Sequence, residues 1–160
     1  FQRWSTLANR PSEKCRDKAL RLLAQRPHFN AELAKKLQAR GFSEAEVEET
    51  LRELESHGWL DDRRFALEMA SGPLTRKGYG PRRIRAELER KGVDSEIADA
   101  AVASVFEEPG DELKAARLAL SKRSKGPGDR AAAGRYLERR GYSTGVILTI
   151  LDEFEFDSGT

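Results

Sequence analysis

A short turn rich in glycine and positive charge is the part of the sequence best suited to bind an anion. It reads Lys77-Gly78-Tyr79-Gly80-Pro81-Arg82-Arg83. The glycines let the backbone turn, and the proline suits the first position of a helix, whose free amides carry a partial positive charge. Arg82, Arg83 and Arg85 add full charges beside that helix start. We therefore expect this turn to bind a phosphate or a carboxylate, with Lys77 and Tyr79 as further contacts.

Arg82 and Arg83 are expected on the exposed side of this helix, because Ile84 and Leu88 mark its buried side. Exposed charges of this kind contribute little to folding, so a structural loop with solvated arginines is the alternative interpretation. The glycine spacing is not that of a dinucleotide-binding motif, since no predicted strand precedes it and the third glycine is missing. The sequence also lacks the Gly-Lys-Ser or Gly-Lys-Thr of a phosphate loop.

The sequence offers little for catalysis. His28 and His57 stand beside a proline and a glycine at the ends of predicted elements, where capping or solvation is expected. Cys15 lies in a polar stretch with no histidine within helical reach, which argues against a nucleophile. Two histidines and one thiol cannot supply the four ligands of a usual structural zinc site. We expect no enzyme activity, no metal and no cofactor.

Composition indicates that helices position these residues. The chain has 160 residues, of which 35% are charged, against about 25% in a typical globular protein. Leucine (18) and alanine (20) far outnumber valine and isoleucine together (9), and glycines and prolines divide the chain into roughly nine helix-length segments. No apolar run is long enough to span a membrane, and no secretory signal is evident. We therefore expect an all-α, cytoplasmic protein.

A repeated pattern is centred on Gly41, Gly92 and Gly141, which are 51 and 49 residues apart. Each glycine has a leucine four residues before it, an apolar residue after it, and then a residue able to cap the next helix; these capping candidates are Ser43, Asp94 and Ser143. Apolar residues follow at helical spacing in each unit: Val47, Leu51 and Leu54; Ala98, Val102 and Val105; Ile147, Leu151 and Phe154. A period near 50 residues with this content predicts stacked helical repeats.

We expect three tandem three-helix repeats, at 14–60, 61–108 and 109–156, stacked on one another. Residues 1–13 match none of them and form an N-terminal extension, and 157–160 form a short tail.

Charge alternates along the chain in step with these repeats. Residues 1–41, 74–93 and 114–141 carry net charges of +7, +5 and +7, whereas 42–73, 94–113 and 142–160 carry −6, −7 and −4. One interpretation is a solvated surface laced with ion pairs. The other is a basic stripe along a phosphate backbone, with the acidic helices facing a protein partner. The second adds Lys35, Lys36, Arg139 and Arg140 of the basic middle helices as candidate contacts.

Two segments, Gly58-Trp59-Leu60-Asp61-Asp62-Arg63-Arg64-Phe65-Ala66 and the stretch from Arg76 to Gly92, together resemble the paired signature of the RecX family, and residues 137–143 resemble its weaker third-repeat motif. The resemblance runs from about residue 14 to 156. It implies a crescent of three three-helix repeats and a non-enzymatic, monomeric modulator of the RecA recombinase in DNA repair, recombination and the SOS response. Such a protein lies along the groove of the RecA filament on single-stranded DNA and slows ATP turnover and strand exchange or promotes disassembly. We expect inhibition of RecA and non-specific DNA binding, with double-stranded DNA as a further ligand.

Each signature residue also has a physical interpretation. Gly58 suits a left-handed helix end, Trp59 and Leu60 are expected to turn inward, and Asp61 or Asp62 is expected to cap the helix that carries Phe65. Core packing is the expected role of Trp59, Leu60 and Phe65, with direct partner contact as the alternative. Capping is expected of the two aspartates rather than metal binding. Arg64 is a candidate partner contact; Gly78, Gly80, Gly92 and Gly141 complete the structural signature.

A different class of function is a helical DNA-binding module, sequence-independent or transcription-regulating, because each basic helix and the capped helix after it could form a helix-turn-helix pair. The third helices are acidic, however, and residues 94–113 contain no basic residue. Such a recognition helix would be repelled by the groove of DNA, which favours the regulatory interpretation.

Overall fold

The computed structural model describes residues 12–126 and 128–154, and all regular secondary structure in this part of the chain is helical. Its elements are α1 (Glu13–Gln25), α2 (Asn30–Ala39), α3 (Glu44–Ser56), α4 (Asp62–Met69), a π-helical segment (Ala70–Leu74), α5 (Pro81–Arg90), α6 (Ser95–Val105), α7 (Asp111–Ser121), α8 (Arg130–Arg139) and α9 (Thr144–Glu153). The predicted all-α class is confirmed. The expected extension at 1–13, except for residues 12 and 13, and the expected tail at 157–160 lie outside the described residues.

The repeat glycines end the middle helices as the pattern predicts. Gly41, Gly92 and Gly141 have φ angles of 89°, 86° and 87°, a left-handed conformation that residues with a Cβ rarely adopt. The predicted caps are only partly correct. Ser43 forms a full capping box with Glu46 at the start of α3, but the side chains of Asp94 and Ser143 make no capping hydrogen bond.

The described residues divide into two compact units, 12–65 with 91–93, and 66–90 with 94–126 and 128–154. In the first unit, α1, α2 and α3 pack around one core, whose buried residues are Cys15, Ala19, Leu22, Leu33, Leu37, Val47, Leu54 and Leu60. Cys15 is fully buried rather than part of a polar surface, because α1 turns this side toward α3, and burial raises the pKa of its thiol.

In the second unit, α7, α8 and α9 pack around another core, whose buried residues are Ala116, Ala119, Leu120, Ala133, Leu137, Tyr142, Ile150 and Leu151. Helices α5 and α6 also pack together, and the π-helical segment contacts α6. Among the predicted stripe residues, Val47, Leu54, Ala98 and Leu151 are buried, and the remaining five are half-buried. The period of the sequence therefore identified the inward side of each third helix.

None of the helices in the described ranges is long and apolar enough to span a membrane.

Candidate nucleic-acid interface

The basic turn is positioned by an irregular helix end. Helix α4 continues into a π-helical segment that contains Pro73, whose ring nitrogen has no hydrogen to donate. The backbone amide of Lys77 then bonds to the carbonyl oxygen of Pro73 at 3.2 Å, and the amide of Gly78 bonds to that of Thr75 at 2.9 Å. The chain leaves the helix at Gly78, where φ is 76°, and α5 begins at Pro81.

Two backbone amides at the start of α5 are already bonded within the protein. The backbone amide of Gly80 donates to the carbonyl oxygen of Arg140 at 2.6 Å, and that of Arg82 donates to Gly141 at 3.0 Å. These carbonyls lie at the end of α8, so the negative end of one helix dipole meets the positive end of another. The prediction that free amides hold an anion at the start of α5 is therefore wrong for Gly80 and Arg82, because the protein supplies its own acceptors to both.

Arg82 is also more than a solvated charge. Its Nη2 donates to the carbonyl oxygen of Tyr142 at 2.7 Å, across 60 residues of sequence. This bond argues against the expectation that Arg82 contributes little to folding, since its guanidinium joins α5 to the segment before α9. Arg83 pairs with Glu87 on its own helix, with 2.9 Å between Nε and Oε1.

Two signature glycines allow this close approach of backbones. A Cβ on Gly80 would lie closer than 3.0 Å to Tyr142, and a Cβ on Gly141 would lie closer than 3.0 Å to Arg83. Gly92 in the first unit is similarly tight, because a Cβ there would overlap that of Ala31. Gly41, by contrast, has open space around the same position. The structural role predicted for these signature glycines therefore includes packing as well as turning.

Tyr142 fixes the turn from the other side. Its ring is fully buried, and its hydroxyl donates to the carbonyl oxygen of Gly78 at 2.9 Å. Burial raises the pKa of this phenol. Sequence reasoning treated this position only as an apolar anchor, because the equivalent positions hold Phe42 and Val93. Phe42 and Val93 have no hydroxyl, so the hydroxyl of Tyr142 was the sequence feature that could have indicated its hydrogen bond.

Two tyrosines and four cations meet beside this joint. The Arg83 guanidinium lies 4.9 Å from the centre of the Tyr79 ring, Lys77 Nζ lies at 5.8 Å and the Arg140 guanidinium at 5.9 Å. Arg140 also lies 4.6 Å from the ring of Tyr136, which has Arg123 at 5.3 Å. We call these six residues the tyrosine–cation cluster: Lys77, Tyr79, Arg83, Arg123, Tyr136 and Arg140. Arg140 bridges the two rings.

The tyrosine–cation cluster combines the groups that bind single-stranded nucleic acid. Cations can neutralise phosphates, and aromatic faces can stack on any base. The structure brings together four predicted contacts, Lys77, Tyr79, Arg83 and Arg140. Tyr136 and Arg123 were missed, although Tyr136 lies one helical turn before Arg140 and could have been found from that spacing.

The other predicted contacts are dispersed. Arg85 pairs with Asp99 on α6, with 2.6 Å between Nε and Oδ1, so its charge is compensated. Arg139 is exposed on α8 and makes no ion pair with the described residues. Lys35 is exposed on α2, and Arg64 is exposed in the first turn of α4.

Lys36 does not face solvent freely, because its Nζ lies 2.9 Å from Nε2 of His28. The ring of His28 is buried, and its Nδ1 donates to the carbonyl oxygen of Arg26 at 2.9 Å. Burial and the neighbouring cations lower the pKa of this histidine. The expectation that His28 caps or is solvated is therefore wrong; the ring fills a gap beside α2.

The first unit holds a basic groove that sequence reasoning missed. A space of about 300 Å³ is lined by four cations, one acid and one ring, namely Lys14, Lys18, Arg21, Arg40, Asp17 and Phe42. The signal was present in the spacing of the three α1 cations, which places them on one side of a helix. This groove offers a second place for a phosphate chain.

The Gly58-to-Phe65 signature is partly structural. Leu60 is buried, and the ring centres of Phe65 and Phe29 are 4.4 Å apart, as core packing predicts. Trp59 is 48% exposed and stacks on His57 at 4.6 Å, so its predicted inward position is wrong. The turn at Gly58 directs the next side chain, that of Leu60, into the core instead.

Both aspartates of this signature act as helix caps. Asp61 accepts the amide of Arg64 at 3.1 Å at the start of α4, and Asp62 accepts the amide of Asn30 at 2.9 Å at the start of α2. Within the described ranges, no group of three or more histidine, cysteine or acidic residues could hold a metal ion.

Comparison with known proteins identifies the family. A family model described as the first three-helix domain of RecX matches residues 15–54, and one described as the second matches residues 61–102. Proteins named Regulatory protein RecX from Vibrio campbellii and from Thermus thermophilus are 38% and 41% identical to this chain. The first alignment covers 83% of this chain and 86% of the relative, and the second covers 81% and 84%.

Solved structures agree on the fold. The crystal structure of RecX from Lactobacillus salivarius aligns with a TM-score of 0.72 at 21% identity, over 88% of this chain and 94% of that one. A second, described as a crystal structure of regulatory protein RecX, aligns with a TM-score of 0.72 at 25% identity, over 88% and 71%. With two matching domains and relatives of this identity and coverage, the chain belongs to the RecX family of regulatory proteins.

Proposed function

We propose that this protein inhibits the RecA recombinase by binding along the RecA filament, and that the tyrosine–cation cluster contacts the single-stranded DNA within it. The observation that carries the DNA contact is the grouping of two tyrosine rings with four cations at the joint of α5 and α8. Membership of a regulatory family supports a role in control rather than in catalysis.

The chemistry of the cluster favours binding without sequence preference. Lysine and arginine neutralise phosphates, which releases counterions, so affinity falls steeply as salt rises. Tyrosine faces stack on every base and therefore read none of them. Helix α6 carries acidic residues and no basic ones, which counts against the transcription-regulating alternative because a recognition helix must enter a groove lined with phosphates.

A non-enzymatic role fits the state of the reactive side chains. Cys15 is buried with its thiol pKa raised, and both ring nitrogens of His28 are engaged within the protein. Neither group is available to a substrate. We propose that the protein acts as a monomer through binding alone.

The test measures RecA ATPase activity on single-stranded DNA as the protein is added. We expect inhibition at less than one molecule per RecA subunit, since a ligand lying along the filament affects several subunits. Tyr79→Leu and Lys77→Glu should each weaken both inhibition and binding to an oligonucleotide by about tenfold, because each removes a stacking face or reverses a charge.

Arg52→Glu is the matched control for Lys77→Glu. Arg52 is exposed on the acidic helix α3 and makes no ion pair with the described residues, so the same change in charge falls outside the cluster. It should leave DNA binding within about twofold, because an exposed substitution that changes no residue of the cluster has a small effect. Equal losses in Arg52→Glu and Lys77→Glu would show that only net charge matters, and parent-like inhibition by both cluster variants would refute the proposed contact.

A further inference from the structure

An acidic groove in the second unit has no role in the proposed DNA contact. It has a volume of about 520 Å³ and lies between the start of α7, the start of α9 and the loop that follows α6. Its apolar lining comes from Phe106, Leu113 and Val146, and its acidic lining includes Glu107 and Glu108. Among the residues that the structure describes, no lysine, arginine or histidine lines it.

The two loop glutamates have uncompensated charges. Both are exposed, and neither carboxylate bonds to another residue in the described ranges. A third acid, Glu112, is already used, because its Oε1 accepts the backbone amide of Ser143 at 2.6 Å. The groove therefore keeps a negative rim beside an apolar surface.

The adjacent cation is also used. Arg117 lies one turn beyond Leu113 on α7, and it forms a two-bond ion pair with Glu153 on α9, with distances of 2.9 and 3.0 Å. This pair spans the same two helices one turn further along. Arg117 therefore does not neutralise Glu107 and Glu108. Their negative charge remains available to a ligand from outside the protein.

The surface of α9 beside the groove is open and apolar. A Cβ added to Gly145 would meet no atom within 4 Å, so the helix presents bare backbone there. Leu148 follows three residues later, on the same side of the helix, and is 53% exposed. An exposed leucine beside an apolar groove is a feature of protein-binding surfaces.

We propose that this groove binds a segment of a protein partner that carries an apolar side chain next to a lysine or arginine. The apolar side chain would fill the space between Phe106, Leu113 and Val146, and the cation would pair with Glu107 and Glu108. Charge complementarity selects this occupant, because a nucleic acid would be repelled by the same rim. The second unit would then hold separate surfaces for nucleic acid and for protein.

Binding of a short fluorescein-labelled peptide, in which one leucine is flanked by lysines, tests the proposal by fluorescence anisotropy. Gly145→Leu fills the open space and Glu107→Lys with Glu108→Lys reverses the rim; each should weaken binding by at least about tenfold. A companion peptide with glycine in place of the leucine should bind poorly to all proteins. A companion peptide with glutamates in place of the lysines should bind poorly to the parent and regain affinity for the Glu107→Lys, Glu108→Lys variant, whose rim is positive.

Glu48→Lys with Glu55→Lys is the matched control, since it makes the same change in charge on exposed positions of α3. It should keep peptide affinity within about twofold of the parent, because neither residue lines the groove and exposed substitutions elsewhere have small effects. Thermal melting verifies that each variant folds. If Gly145→Leu does not fold, the variant with Glu107→Lys and Glu108→Lys decides the question.

The proposal would be overturned if the parent did not bind the peptide. It would also be overturned if Gly145→Leu and the Glu107→Lys, Glu108→Lys variant both bound the peptide as tightly as the parent. Self-association of the parent that is lost in Gly145→Leu would overturn it in favour of a second copy as occupant. Oligonucleotide binding by the same variants should remain at the parent level, so failure of the groove is distinguishable from failure of the DNA contact.

Discussion

Two glycine-to-alanine substitutions separate the cost of an unusual backbone angle from the cost of breaking the joint between α5 and α8. Gly41 and Gly141 end equivalent helices with φ angles of 89° and 87°. An alanine costs about 1–2 kcal/mol at either position, because its Cβ is crowded in a left-handed backbone. Any gain from a stiffer unfolded chain is the same in both variants and cancels in the comparison.

Only Gly141 carries a further cost. An added Cβ there falls closer than 3.0 Å to the backbone nitrogen and Cα of Arg83, which cannot swing away as a flexible side chain could, whereas Gly41 has nothing within 4 Å. Overpacking of this kind costs about 1–3 kcal/mol more. We expect Gly41→Ala to lose about 1–2 kcal/mol of unfolding free energy, and Gly141→Ala to lose about 2–5 kcal/mol.

Urea unfolding followed by circular dichroism measures both losses, and oligonucleotide binding is measured on the folded fraction. Because Gly141 holds Arg83 and Arg140 in register, Gly141→Ala should also weaken DNA binding, while Gly41→Ala should not. Equal destabilisation by the two substitutions would refute the packing role assigned to Gly141. Unchanged DNA binding by a folded Gly141→Ala protein would show that the joint of α5 and α8 is not needed for DNA binding by the tyrosine–cation cluster.

Three further pairs of substitutions test particular contacts. Arg82→Gln removes the bond to the Tyr142 carbonyl and should lower the unfolding free energy in urea by about 1–2 kcal/mol, which is at the lower end for a charged hydrogen bond because the side chain is exposed. Arg85→Gln loses only exposed ion pairs and should lower it by less than about 1 kcal/mol. Identical losses would contradict the role assigned to Arg82. The lowered pKa of His28 means that the unfolded state binds its proton more tightly, so unfolding free energy should be greatest above pH 6.5 and fall as acid is added through the folded pKa. His28→Gln should abolish that dependence between about pH 6.5 and 5, before carboxylates titrate, while His57→Gln retains it. Trp59→Ala should change the melting temperature by no more than the equivalent of about 1 kcal/mol, whereas Phe65→Ala should cost about 3 kcal/mol; the reverse order would restore Trp59 to the core.

The features that sequence reasoning predicted well depend on residues near one another in the chain. A glycine, the leucine four residues before it and the apolar stripe after it all act within two helices, so their spacing identifies helix ends and buried sides. Asp61 was predicted as a cap on the same grounds, and it accepts the amide of Arg64 three residues later. The prediction that Trp59 is buried was wrong because hydrophobicity alone does not say which of two adjacent apolar residues after a turn packs into the core.

The errors at the basic turn have a different origin. A glycine-proline start with arginines looks the same whether its amides face an anion or a carbonyl oxygen of the same chain, and the carbonyl of Arg140 lies 60 residues from the amide of Gly80. No local pattern announces that partner. The consequence for function is that the helix start is a structural joint, and this joint brings Arg140 to the two tyrosine rings. Of the charges predicted to bind an anion at the first turn of α5, only Arg83 lies against Tyr79, and Arg140 lies between Tyr79 and Tyr136. Two rings joined by a shared cation suit an extended chain of phosphates and bases better than a single bound anion.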